Sequence, residues 1–293
     1  MTKFNAKLMR PSEFEENSGN KDWWENNPMT YDWDKSLGDP ALTPEYFRAI
    51  DQIFGEGHSL LNNPTWPTGK ILDKFLPYEN FNGREVLEIG CGAGLVSSHI
   101  ANAGGHLHAV DLTSRAIEMT SKRFELASLK GDIRQMDAEK LLFEDDSMDF
   151  VVSWGVIHHS GNMKAVLDQI HRVLRPGGKA YIMVYNRHSL RYQVYGRFWH
   201  GVFKLKLLRM SVEEVNGSFT DGHIARHIIP AEFDILANNF SNISYSYSDE
   251  KTTILKYLFG LGTPFRYFYT VTRPIEQWLA SKWGWYLEAV LTK

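Results

Sequence analysis

The feature that most constrains this chain is a short apolar run that ends in a glycine turn, Val86-Leu87-Glu88-Ile89-Gly90-Cys91-Gly92-Ala93-Gly94. The run reads as a buried strand, and the apolar spacing over 95–103 reads as the helix that follows, stopped by Gly104-Gly105. The alternation then repeats. Strands are expected at 84–89, 107–110, near Ile133, at 149–153 and at 179–185, with helices at 114–126 and 162–174 between them. Strands joined by helices of this length require a mostly parallel sheet with right-handed crossovers, hence an α/β fold.

The flanks differ in character. Residues 1–80 are polar, with Trp23, Trp24, Pro28, Tyr31 and Trp33 in an irregular cluster. Helices are expected over 42–62 and over 68–76, the latter stopped by Pro77. After residue 186 the pattern loosens. It suggests helices at 189–210, 230–240 and within 251–283, and late strands at 243–247 and 286–292. The organisation expected is therefore an N-terminal lid or cap segment (1–80), a ligand-binding core (81–186) and substrate-side helices with the last two strands of the same domain (187–293).

Composition narrows the classes of function. One cysteine excludes a disulfide framework and an all-cysteine metal cage. A formal net charge of −3 gives no general polyanion trap. No apolar run approaches the roughly 18 residues of a membrane span, and the N-terminus lacks a secretory pattern, so the cytoplasm is the expected compartment. Aromatic residues reach 13%, with nine tryptophans, which suits a lined cavity or a lipid-facing surface. Arg187, Arg191, Arg197, Lys204, Lys206 and Arg209 lie in a stretch with no acid and many aromatic rings. That stretch is compatible with a substrate roof, a dimer contact or a membrane-surface helix.

The glycine turn departs from a dinucleotide fingerprint in two ways. Its third glycine comes one position early, and Glu88 stands just before the first. A carboxylate there would repel a pyrophosphate and suit an ammonium or sulfonium group. Asp111 ends the second strand, where an acid takes ribose hydroxyls. Asp137-Ala138-Glu139 follows the third strand, and Ser153-Trp154-Gly155 the fourth. Helix capping is the competing role for Asp137 and Glu139.

These segments resemble the class I S-adenosylmethionine-dependent methyltransferases of small-molecule type. Val86–Gly94 resembles the first motif of that family. Asp137-Ala138-Glu139-x-Leu141-x-Phe143-x-Asp145-x-Ser147-x-Asp149-Phe150 is similar to its D-A-E-x-L-P-F-x-D-x-S-F-D stretch, with Leu142 in place of the proline. Ser153 to Ser160 and Leu174-Arg175-Pro176-Gly177-Gly178 resemble the segments after the fourth strand and before the fifth. The resemblance covers about residues 84–186. It implies a Rossmann-like seven-stranded sheet flanked by helices, with the last strand antiparallel. It implies S-adenosyl-L-methionine as cofactor, and because the sulfonium leaving group is already activated, no metal is required. It also implies roles: Glu88 for the methionine ammonium, Gly90, Gly92 and Gly94 for backbone contact, Asp111 for the ribose, Leu112 beside the adenine, Asp137 and Ala138 at its amine, and Ser153 or Trp154 at the methionine moiety.

Methyl transfer to a hydroxyl also needs a base. His158, Tyr185 and His188 are the candidates, with His159 more readily a packing residue. Tyr31 and the tryptophan cluster could cover the cofactor and exclude water. His223 and His227, four apart, could share a helix face, but two histidines make poor metal evidence. The reading is a small-molecule methyltransferase acting on an aromatic or apolar metabolite, O-methylation first, as monomer or homodimer. Nucleic acid is disfavoured as substrate: the fourth-strand segment is Ser-Trp-Gly-Val, and the one cysteine sits in the glycine loop. A non-catalytic scaffold that keeps the cofactor pocket stays open.

Overall fold

The computed structural model describes residues 13–31, 37, 41–57, 70–249 and 269–293. Its centre is one sheet of eight strands: β1 (Glu85–Ile89), β2 (His106–Asp111), β3 (Asp132–Gln135), β4 (Met148–Trp154), β5 (Leu174–Asn186), β6 (His227–Ile228), β7 (Asn242–Ser248) and β8 (Tyr286–Thr292). The order is β3-β2-β1-β4-β5-β8-β7, with the two-residue β6 pairing beside the end of β5. Strands β1 to β6 pair in parallel, whereas β8 runs antiparallel to both β5 and β7. This is the Rossmann-like α/β architecture expected, with the late strands where the sequence pattern put them.

The apolar runs are continuous because both faces of the sheet are covered. Val86 packs to one side with Phe81, Ile100, Leu107 and Phe124, while Leu87 and Ile89 pack to the other with Val166, Ile170 and Phe233. Helix Leu95–Asn102 and helix Ser114–Leu126 serve the first side. Helix Met163–Val173 and helix Pro230–Leu236 serve the second. The helix over 114–126 starts one residue after Thr113, whose hydroxyl accepts from Ala116 N.

Several local expectations were not met. The tryptophan cluster, read as irregular, begins inside a helix, Glu13–Asn26. Residues 70–76 form turns instead of a helix, because Leu72 takes a φ of +52° that no right-handed helix accommodates. The stretch after Leu190 is π-helical over Arg191–Phe203 and ends as Leu205 turns to φ +56°. The helix at 230 stops at Leu236, short of Phe240. His223 and His227 share no helix: His223 is exposed in irregular chain, and His227 is buried in β6. Of the expected 251–283 stretch, Tyr269–Trp283 is helical and 251–268 lies outside the described residues.

Among the described residues no helix is long and apolar enough to cross a membrane. Phe198, Val202, Phe203, Leu205 and Leu208 are nonetheless exposed, side by side in sequence with Arg197, Lys204, Lys206 and Arg209.

Candidate active site

In this strand order the chain leaves β1 toward β2 and β3 on one side and toward β4 and β5 on the other. The crevice therefore opens past the carboxyl ends of β1 and β4. A cavity of about 820 Å³ lies there. One half is walled by Glu88, Gly90, Gly92, Asp111, Leu112, Asp137 and Ala138. The other half is walled by Trp24, Trp154, His159, Tyr185, Asp221 and Tyr286, among others.

The first half is built by the glycine turn. Gly90, Gly92 and Gly94 all have positive φ, at +79°, +53° and +75°. A Cβ on Gly90 would stand 2.3 Å from a methyl of Val156. A Cβ on Gly92 would meet nothing within 4 Å, because that glycine faces open space where a ligand can touch backbone. Asp111 braces the turn: its carboxylate accepts from Gly92 N at 3.2 Å, and from Thr113 N and Oγ1 at 3.0 and 2.9 Å.

Glu88 is 4% exposed, accepts from the Ser97 hydroxyl and faces the cavity. Burial pushes its carboxyl up to about 8, and the Asp111 charge adds to the rise. A buried carboxylate costs free energy until a cation sits against it. This donor set fits S-adenosylmethionine: an acid for an ammonium, a second acid at the end of β2, and a bare backbone turn between them.

Arg123 was not singled out by the sequence. It is buried on helix Ser114–Leu126, donates Nε to Ala93 O at 2.7 Å, and pairs both terminal nitrogens with Asp51 at 2.9 and 2.7 Å. It thereby fastens helix Pro44–Gly57 to the glycine turn. Glu25, at the end of the first helix, accepts from Ser114 N at 2.9 Å and Arg115 N at 3.1 Å. That carboxylate sits at a helix N-terminus, which holds its pKa below the ordinary value, the Ser114 hydroxyl contributing most. The first helix is thus pinned over the cavity, with Trp23, Trp24, Pro28, Met29 and Tyr31 in the wall. Tyr31 packs edge-on to Phe54 at 4.4 Å, and burial beside Glu88 raises its hydroxyl pKa.

The expected site residues separate into two groups. Tyr31, Glu88, Gly90, Gly92, Asp111, Leu112, Asp137, Ala138, Trp154 and Tyr185 all reach the cavity wall. Asp137 also caps the short turn after it, accepting from Glu139 N at 2.9 Å, so both roles weighed for it are compatible with its position. Gly94 sits just behind the wall, where its φ of +75° starts the helix and a Cβ would press on Thr120. Ser153 is buried away from the wall. His188 is exposed and outside the wall, its backbone N donating to Asn186 Oδ1 at 2.8 Å. His158 is fully buried behind the wall, its ring 4.1 Å from those of His159 and Tyr185. The turn carrying the two histidines faces His159, not His158, toward the cavity.

The second half also draws on residues distant in sequence. Asp221 accepts from Tyr185 OH at 2.9 Å, and Arg191 stacks on Trp285 at 4.2 Å. The turn signal at Asp221-Gly222 was legible; its approach to β5 was not.

Residues 87–182 match a family model described as a methyltransferase domain. The chain is 29% identical over 117 residues to a ubiquinone biosynthesis O-methyltransferase of Xylella fastidiosa, covering 40% of this chain and 48% of that one. It is 30% identical over 161 residues to the protein of that name from Rhizobium rhizogenes, covering 47% and 65%. The chain spans about half the length of the curated relatives it matches. A solved S-adenosylmethionine-dependent methyltransferase from Archaeoglobus fulgidus shares the fold, with a TM-score of 0.51 and 16% identity over 76% of this chain and 91% of that one.

Proposed function

The chain carries a class I methyltransferase domain of the S-adenosylmethionine type, and from that premise we propose that it methylates a hydroxyl on a small aromatic or apolar metabolite. The observation that carries the reading is the division of one cavity: an acidic, glycine-lined half continuous with a half walled by Trp24, Trp154, His159, Tyr185 and Tyr286. The names of the curated O-methyltransferase relatives agree with an oxygen acceptor.

S-adenosylmethionine supplies a methyl group already activated by its positive sulfur. The chain's contribution is placement and exclusion of water. Glu88 would take the ammonium end, Asp111 the ribose, and Leu112, Asp137 and Ala138 the adenine. The backbone at Gly90 and Gly92 would approach between them. Trp154, at the end of β4, packs on Tyr286 in the aromatic half. Trp24 and Tyr31 close the cavity from the N-terminal side, so that donor and acceptor meet out of water. Holding two reactants in this way can be worth roughly 7–11 kcal/mol.

Calorimetry with S-adenosylhomocysteine, followed by methyl transfer to a panel of phenols, enols, amines and alkanols, tests the proposal. Binding and turnover of hydroxyl acceptors are expected. Binding without turnover of any acceptor would leave a scaffold, and turnover of amines alone would overturn the oxygen assignment.

A further inference from the structure

We propose that His159 is the general base of the transfer, held in a single tautomer by the segment 221–226 and turned toward an acidic hydroxyl, a phenol or enol, in the cavity. The proposal deepens the O-methylation reading above and rests on it.

The tautomer follows from hydrogen-bond chemistry. His159 Nδ1 lies against the carbonyl oxygen of Ile224, which can only accept. Nδ1 therefore carries the hydrogen and Nε2 keeps its lone pair. Nε2 is buried and has no partner among the described residues, although the residue forms part of the cavity wall. A buried acceptor left unpaired is costly, and a ligand hydroxyl would satisfy it. Trp24 packs edge-on against the ring at 5.1 Å, and His159 is buried.

The clamp that sets this orientation is specific. Gly222 has a φ of +88°, and a Cβ there would stand 2.5 Å from His159 Nδ1 and 2.9 Å from Cε1. Only glycine lets the loop press on the imidazole. Arg226 locks the two segments together: its backbone N donates to His158 O at 3.1 Å, and its guanidinium donates to Ser160 O and, at 2.9 Å, to Gly161 O. Gly222 is a positioning residue on this account.

The electrostatics agree. Burial lowers the His159 pKa first, Arg226 lowers it further, and Asp221 and the Ile224 carbonyl act in the opposite direction. The rings of His158 and Tyr185 complete the surroundings, and His227 stacks on Tyr185 at 5.9 Å. The imidazole is then neutral near pH 7 and ready to accept a proton. A base weakened in this way matches a hydroxyl of pKa about 10 far better than an alkanol. In the step, Nε2 takes the hydroxyl proton as the acceptor oxygen bonds to the methyl carbon. The carbon–sulfur bond breaks with its pair on sulfur, and the imidazolium later loses its proton to water.

Two measurements test this. In 15N-histidine-labelled protein, the long-range proton–nitrogen spectrum, assigned against His159→Ala, should show the Nδ1–H tautomer. With a phenol acceptor, His159→Ala should lower kcat by about 10²-fold or more, regain part of it with added imidazole, and bind S-adenosylhomocysteine within about twofold of wild type. Gly222→Ala should shift both the histidine resonances and the pH profile of kcat. An Nε2–H tautomer, an unchanged kcat, or loss of S-adenosylhomocysteine binding in His159→Ala would overturn the base role. Turnover of amines only by the wild-type protein would instead fail the O-methylation reading on which it rests.

Discussion

Replacing Glu88 by glutamine should strengthen the fold and weaken cofactor binding at once. The carboxyl is 4% exposed, and burial moves its pKa from 4.5 to about 8. Between these values the folded chain keeps a proton that the unfolded chain has released. The group's stabilising contribution is therefore intact below the lower value and is lost as pH rises toward the upper one. At about 1.4 kcal/mol per pH unit, the cost reaches a ceiling of about 3 kcal/mol at pH 7. The substituted glutamine would ionise in neither state, and its amide oxygen can still accept from Ser97. Denaturant melts of Glu88→Gln and wild type should coincide near pH 4.5 and diverge above it, with the variant more stable by about 1–3 kcal/mol at pH 7–8. Binding should show the reverse. An ammonium favours the ionised carboxylate, so wild-type affinity for S-adenosylhomocysteine should rise from pH 6 to 8 with proton release, while the glutamine variant should show neither effect. Parallel pH–stability curves for the two proteins would refute the reasoning, because Glu88 would then titrate at its ordinary value.

Three further outcomes are expected. Asp111→Asn should weaken S-adenosylhomocysteine binding by roughly 1–3 kcal/mol, since the carboxylate braces Gly92 and reaches the cavity; unchanged calorimetric affinity would remove it from the ribose role. Arg123→Met should cost about 2–4 kcal/mol in a denaturant melt, because it breaks a bidentate pair and releases the Ala93 carbonyl; a loss under about 0.5 kcal/mol would show that the turn holds its own shape. The docking of the first helix should weaken as pH falls, since a depressed carboxyl pKa such as that of Glu25 gives stability that is present at neutral pH and disappears in acid. Limited proteolysis of the first helix should therefore quicken in acid, with an acid-active protease, in wild type, and at neutral pH in Glu25→Gln.

The fold was legible because its signals are local. Apolar runs such as Val86–Ile89, helix stops at paired glycines and acids at strand ends each need only a few neighbouring residues to be recognised. The glycine-lined half of the cavity follows from the same fact: Glu88, Gly90, Gly92, Asp111 and Asp137 come at successive strand ends, and a parallel sheet must bring those ends together.

The aromatic half obeys no such rule. Whether His158 or His159 faces the cavity depends on the rotation of one short turn, which is set by Gly222, Ile224 and Arg226 more than sixty residues away. Leu72 and Leu205 break expected helices with positive φ, which no side chain of theirs announces. The sequence by itself determined the sheet and the half of the site built on it, since hydrophobic periodicity and glycine sterics act over a few residues. Only the tertiary structure decided which histidine meets the cavity and what holds it there, since that choice is made by steric and hydrogen-bond contacts between segments that meet only after folding.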